Sequence, residues 1–251
     1  MMSLTKPSLA QTVLKQFWFK LKSLAGMISS LIMLQLIGLL FALGASSNFY
    51  TGSDGVFDLQ ISYYSADLVV VFTMLWGFIS AITMKTKAYR EDDFVFVTNR
   101  LSSNLSNIAY LLAASVIGGV TAILSGYLLK VVIYLLFEST PIIHTGLTDS
   151  LVELLSGMLA ASLFIFMFAG AGYLVGTLVQ LHKAFTYITP VAVIGFILLS
   201  DRISDGHLLA EVGEFYFNEA SLWLLSVKTL VTAGLLLAGS IGISQRLEVK
   251  T

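Results

Sequence analysis

The hydrophobic positions fall in long unbroken runs separated by short polar intervals, and run length decides the class. Apolar stretches of about 20 residues recur along the 251-residue chain, the length an α-helix needs to cross a hydrocarbon core. They lack the strict alternation over about ten residues that marks a strand of a membrane barrel. The pattern predicts an all-α polytopic membrane protein with six transmembrane helices at 25–45, 62–84, 108–137, 151–180, 184–200 and 221–243. The third and fourth exceed the minimum and must tilt or project beyond the bilayer. The fifth is short and holds Pro190, which removes a backbone donor and favours a kink. Ahead of the first span, Leu9, Val13, Phe17 and Leu21 recur at helical spacing while Gln11, Lys15 and Lys22 take another face, with Trp18 at the boundary. This is the signature of an interfacial amphipathic helix. Residues 1–24 therefore read as an N-terminus with an interfacial helix, 25–243 as a six-helix transmembrane domain, and 244–251 as a tail.

Composition strengthens the class without changing it. Hydrophobic residues make up 57% of the chain and charged residues 12%, roughly half the charge of a soluble domain, and mean hydropathy is +0.87. The lysines ahead of the first run resemble a signal peptide, but that run is long enough to span and reads as a retained helix. With no cysteine, disulfides, thiolate metal sites and cysteine nucleophiles are excluded.

The distribution of charge is more informative than its sum. Lys6, Lys15, Lys20, Lys22, Lys85, Lys87, Arg90, Arg100, Lys183, Arg246 and Lys250 fall on one side of the six spans, and only Arg202 lies in the opposite loops. That asymmetry predicts a cell-membrane protein with both termini cytoplasmic. The opposite loops, 46–61, 138–150 and 201–220, are acidic, and the last mixes carboxylates with Leu208, Leu209, Val212, Phe215 and Phe217, as a short amphipathic helix on the outer leaflet would. On the basic side, residues 85–107 form the one long charged interval. They carry an acidic triplet, Glu91, Asp92 and Asp93, beside Arg100.

Recognisable chemistry is sparse. There is no GxxxxGK[ST] phosphate loop, HExxH or GxSxG, and His144, His182 and His207 are scattered. Neither a cofactor in this chain nor a nucleic-acid partner is expected. Asp67, Lys130 and Lys228 fall on three different spans at a common depth, roughly 8–10 Å below the outer boundary. Lysine stems can snorkel to the interface; a short carboxylate cannot, which predicts that Asp67 pairs with one of the lysines. Glu153 lies close enough in sequence depth to join them. Gly118, Gly119, Gly170, Gly172 and Gly176 supply small-residue surfaces for helix contact. Asn104-Leu105-Ser106 matches a glycosylation triplet, made irrelevant by its cytoplasmic placement.

The layout resembles the permease subunit of ABC-2 type transporters. The resemblance rests on the N-terminal amphipathic helix, six spans, a cytoplasmic segment between spans two and three, and a long connection before the last helix. The stretch YREDDFVFVTNRLSSNLSNIAYLLAASVIGG is similar to the family pattern of an acidic start, an apolar pair and a polar (S/N)R step into span three. Val97-Thr98 stands where the family commonly has proline. The resemblance implies an ATP-driven exporter in which the chain joins a second permease and separate ABC ATPase subunits that hold the ATP and magnesium. Glu91, Asp92, Asp93 and Arg100 would then make the ATPase contact, within membrane lipids of a bacterial cell. A non-transporting scaffold or sensor subunit and an intramembrane lipid-acting enzyme are the competing readings.

Overall fold

The computed structural model describes residues 8–23, 25–44, 47–52, 58–63, 65–86, Tyr89, 100–136, 151–204, 207–219 and 221–246. Among them the helices are α1 (Leu9–Ser23), α2 (Ala25–Gly44), α3 (Asp67–Met84), α4 (Arg100–Leu136), α5 (Leu151–Leu181), α6 (Phe185–Ser204), α7 (His207–Phe217) and α8 (Leu222–Arg246). Five of these contain stretches long and apolar enough to cross a membrane: Gly26–Gly44, Asp67–Met84, Arg100–Leu135, Leu151–Leu181 and Leu222–Gln245. The chain is a helical multi-pass membrane protein. Where the sequence predicts a fifth span, the structure has a shorter apolar helix, Phe185–Ser200, with Pro190 inside it.

Two boundaries differ from the sequence expectation. The interval assigned to an external loop and the start of span two holds an antiparallel hairpin, β1 (Ser47–Gly52) paired with β2 (Asp58–Tyr63). Helix α3 accordingly begins at Asp67 rather than at residue 62. The run Ile61-Ser62-Tyr63-Tyr64 is rich in β-branched and aromatic residues, which suit a strand as well as a helix. An acidic residue at the first helical position is also favourable, because it meets the positive end of the helix dipole. At the other end of the charged interval, α4 starts eight residues before the expected span. Its 37 residues reach about 55 Å, so Arg100–Asn107 extends the helix as a polar leg.

Helix α5 is the hub, packing on α3, α4 and α8. Its buried residues include Ala161, Ser162, Ala169, Gly170, Gly172, Gly176 and Thr177, a small-residue surface that lets backbones approach closely. The expected glycine contacts form. A Cβ at Gly119 would lie 2.8 Å from the Ser162 Cα, one at Gly172 would lie 2.9 Å from the Phe78 Cα, and one at Gly176 would meet the Lys85 Cβ at 2.9 Å. Phe164 and Phe166 fill the core beside Ile165. The outward surfaces are apolar, with Leu40, Phe41, Tyr134, Leu135, Leu235 and most of α6 exposed, as a lipid-facing surface requires.

Helix α7 confirms that the acidic connection before the last span contains a short helix. It is held to the bundle by Phe217 stacked on Phe164, with ring centroids 5.0 Å apart. The Tyr216 hydroxyl also meets Thr232 Oγ1 at 3.0 Å.

Candidate functional site

The polar groups of the interior concentrate at the end of the bundle where α3 finishes and α4 begins. The polar leg of α4 sets this up: Arg100, Asn104 and Asn107 stand at i, i+4 and i+7, one stripe of a helix. Asn104, Ser106 and Asn107 are all buried. Lys85, the C-cap residue of α3, donates its ammonium to Asn104 Oδ1 at 2.9 Å. The same ammonium lies 4.0 Å from the centroid of the Tyr173 ring on α5, a cation–π distance. The Tyr173 hydroxyl donates to Asn104 Oδ1 at 2.8 Å and accepts from Asn107 Nδ2 at 3.2 Å.

Two further helices join this centre. From α1, the Lys20 ammonium donates to Ser106 Oγ at 2.8 Å and to Asn107 Oδ1. From α8, Ser244 Oγ accepts from Asn104 Nδ2 at 3.4 Å, and its backbone carbonyl accepts from Arg100 Nη1 at 2.9 Å. Gln180 Nε2 donates to the Lys85 carbonyl, and Thr177 on α5 shares a hydrogen bond with Ser240 on α8. Lys20 and Lys85 are each only 6% exposed. A buried ammonium is tolerable only when strong acceptors surround it, and the amide oxygens of Asn104 and Asn107 serve that purpose. The arrangement clamps α1, α3, α4, α5 and α8 together, and among the described residues no group of three His, Cys, Asp or Glu could hold a metal.

Of the residues expected to contact an ATPase, Arg100 is part of this network, whereas Glu91, Asp92 and Asp93 lie outside the described residues. The expected intramembrane cluster does not close. Asp67 is exposed at the first residue of α3, Lys130 stands 5.6 Å from the Tyr127 ring on its own helix, and Lys228 forms an ion pair with Glu219. No ion pair joins Asp67 to either lysine among the described residues. Lys228 also donates to the Phe215 carbonyl at 3.1 Å and lies 4.1 Å from its ring centroid. Its partners thus come from α7 and from the connection that follows it. Glu153, the possible fourth member, is exposed in the first turn of α5.

The hydrogen bond from Lys228 holds the Glu219 carboxyl below its ordinary value of 4.5. A depressed folded-state value means that the pair stabilises the fold above the ordinary carboxylate range and loses that contribution as pH falls through the folded value. Wild type should therefore melt above Glu219→Gln at neutral pH, and the two curves should converge as pH falls below the ordinary carboxylate range and through the folded value. Melting curves of both proteins across pH 3–8 check this.

The buried role of the α4 leg is not read from the sequence, where Asn104-Leu105-Ser106 stands only as a glycosylation triplet without consequence, whereas Asn104 is 3% and Ser106 0% exposed. The available signal was the i, i+4, i+7 spacing of Arg100, Asn104 and Asn107. A second missed group sits mid-bundle: Gln35 Nε2 on α2 lies 2.9 Å from Thr121 Oγ1 and 3.2 Å from Thr73 Oγ1.

No protein-family model matches the chain, and no curated protein or solved structure matches it. Its assignment as a helical multi-pass membrane protein accordingly rests on its own long apolar helices and their packing.

Proposed function

We propose that the chain is the permease subunit of an ATP-driven exporter of the ABC-2 type. In this reading it has six spans, both termini lie in the cytoplasm of a bacterial cell, and it pairs with a second permease to form the translocation path. Separate ATPase subunits supply the energy through the 85–107 interval. The observation that carries the proposal is the junction at the two ends of that interval. Lys85 at its start and Arg100, Asn104 and Asn107 at its finish are hydrogen-bonded into α5 and α8, with α1 attached through Lys20. Tyr89, within the interval, packs against the main hydrophobic core. A displacement applied at Lys85 or at Arg100–Asn107 would be delivered to five helices at once. The eleven-to-one division of Lys and Arg supports a cytoplasmic position for the interval, where an ATPase is accessible.

Replacing Glu91, Asp92 and Asp93 together with alanine leaves every apolar helix unchanged. The proposal expects the variant to reach the membrane in wild-type amount but to lose most of an ATPase that co-purifies with wild type after mild detergent extraction. Failure of wild type to retain any ATPase would favour the scaffold or sensor reading. Undiminished recovery with the triple variant would remove the acidic triplet from the contact.

A further inference from the structure

Helix α1 buries two polar side chains against the bundle. Gln16 is 1% exposed and Lys20 6%, on a helix whose principal neighbour is α4, and the Gln16 amide has no hydrogen-bond partner. The opposite side is open: Leu14 is 59% and Trp18 58% exposed, and Lys15 and Lys22 are exposed with them. At 100° per residue, Lys15, Trp18 and Lys22 form one stripe at i, i+3 and i+7, with Leu14 along its edge. This differs from the expected amphipathic arrangement, because Phe17 and Leu21 are turned into the core and a different apolar pair faces outward.

A helix that turns an ammonium and an amide into protein while presenting leucine and tryptophan to its surroundings is suited to an apolar medium on that outer side. The chain geometry supplies one. A single residue separates α1 from α2, whose Gly26–Gly44 stretch is long and apolar enough to span, so α1 is held at a membrane boundary. Tryptophan favours that depth, with its ring among acyl chains and its N–H near headgroups. Lysines three residues before and four residues after it place cations beside the same headgroups.

We propose that the Leu14–Lys15–Trp18–Lys22 face of α1 binds anionic phospholipid, with the ammoniums of Lys15 and Lys22 on lipid phosphates and Leu14 and Trp18 in the acyl boundary. Because the opposite side of α1 is bonded to α4 through Lys20, lipid held on this face is linked directly to the polar leg of α4. The inference depends on the chain being a membrane protein and stands independently of the transport reading.

The test uses the full chain reconstituted in vesicles of equimolar phosphatidylglycerol and phosphatidylcholine, in which one or the other of the two lipids is brominated. The emission lost in Trp18→Phe isolates the Trp18 signal from those of Trp76 and Trp223. Trp18 should be quenched by both lipids, with phosphatidylglycerol preferred on the order of 10-fold, as two surface lysines allow. Lys15→Gln with Lys22→Gln should reduce that preference to near unity while leaving quenching by phosphatidylcholine and the helical circular dichroism unchanged. Equal quenching by the two lipids in wild type overturns the proposal, as does a preference that survives the double substitution. Absence of quenching by either lipid would show that protein or water covers the face, and also overturns it.

Discussion

Asn104→Leu is expected to lower the stability of the protein by about 3–4 kcal/mol. Oδ1 of Asn104 accepts from both the Lys85 ammonium and the Tyr173 hydroxyl, and Nδ2 reaches Ser244 on α8. Leucine matches the volume but removes all three contacts at a position that is 3% exposed. Hydrogen bonds to a charged group contribute about 1.5–3 kcal/mol, and a neutral one adds about 1. The corresponding fall in melting temperature is roughly 10 °C for a chain of this size. Asn104→Asp keeps an oxygen acceptor toward the ammonium and should retain more of the stability than leucine. Melting of the three proteins in one detergent decides the matter: a leucine variant within a degree of wild type would show that the network contributes little to holding the helices.

The second large effect is expected at the crossing of α3 and α5. A Cβ at Gly172 would stand 2.9 Å from both the Cα and the carbonyl carbon of Phe78. These are backbone atoms, so no side-chain rotation relieves the overlap, and the helices must separate along their contact. Overpacking of this kind costs about 1–3 kcal/mol, occasionally more, and the separation would also loosen the neighbouring approach of Gly176 to Lys85. Gly172→Ala should therefore reduce both melting temperature and the yield of monodisperse protein. Gly234→Ala on α8 is the matched control, because a Cβ there meets nothing within 4 Å. It should be neutral or slightly stabilising through helix propensity. Equal melting of the two variants would show that the α3–α5 crossing relaxes more readily than its geometry implies.

The two expectations concern residues that differ greatly in how visible they are without a structure. Gly172 sits in an obvious pattern, since small residues recur along an otherwise apolar span and such surfaces bring membrane helices together. Asn104 does not, because one asparagine in a polar interval looks the same whether water or an ammonium is its partner. Its spacing from Arg100 and Asn107 indicates a shared helix face, but not what that face meets.

Sequence alone determines that this is a helical membrane protein and where most of its helices run. In hydrocarbon each segment must satisfy its own backbone, so a span is a local property of about 20 consecutive residues. Locality fails at Ile61–Tyr64, whose residues suit a strand or a helix equally, and there the sequence-derived boundary is displaced to Asp67. Tertiary structure alone decides which polar groups meet. Asp67, Lys130 and Lys228 share a depth in the sequence reading, but depth along an axis says nothing about rotation around it, and Glu219 reaches Lys228 from the adjoining connection. Lys20 reads as ordinary boundary charge until the packing of α1 on α4 brings it to Ser106 and Asn107, 86 and 87 residues away. Such pairings depend on the rotation and tilt of every helix in the bundle, which are set by all the interhelical contacts together and by no single stretch of chain.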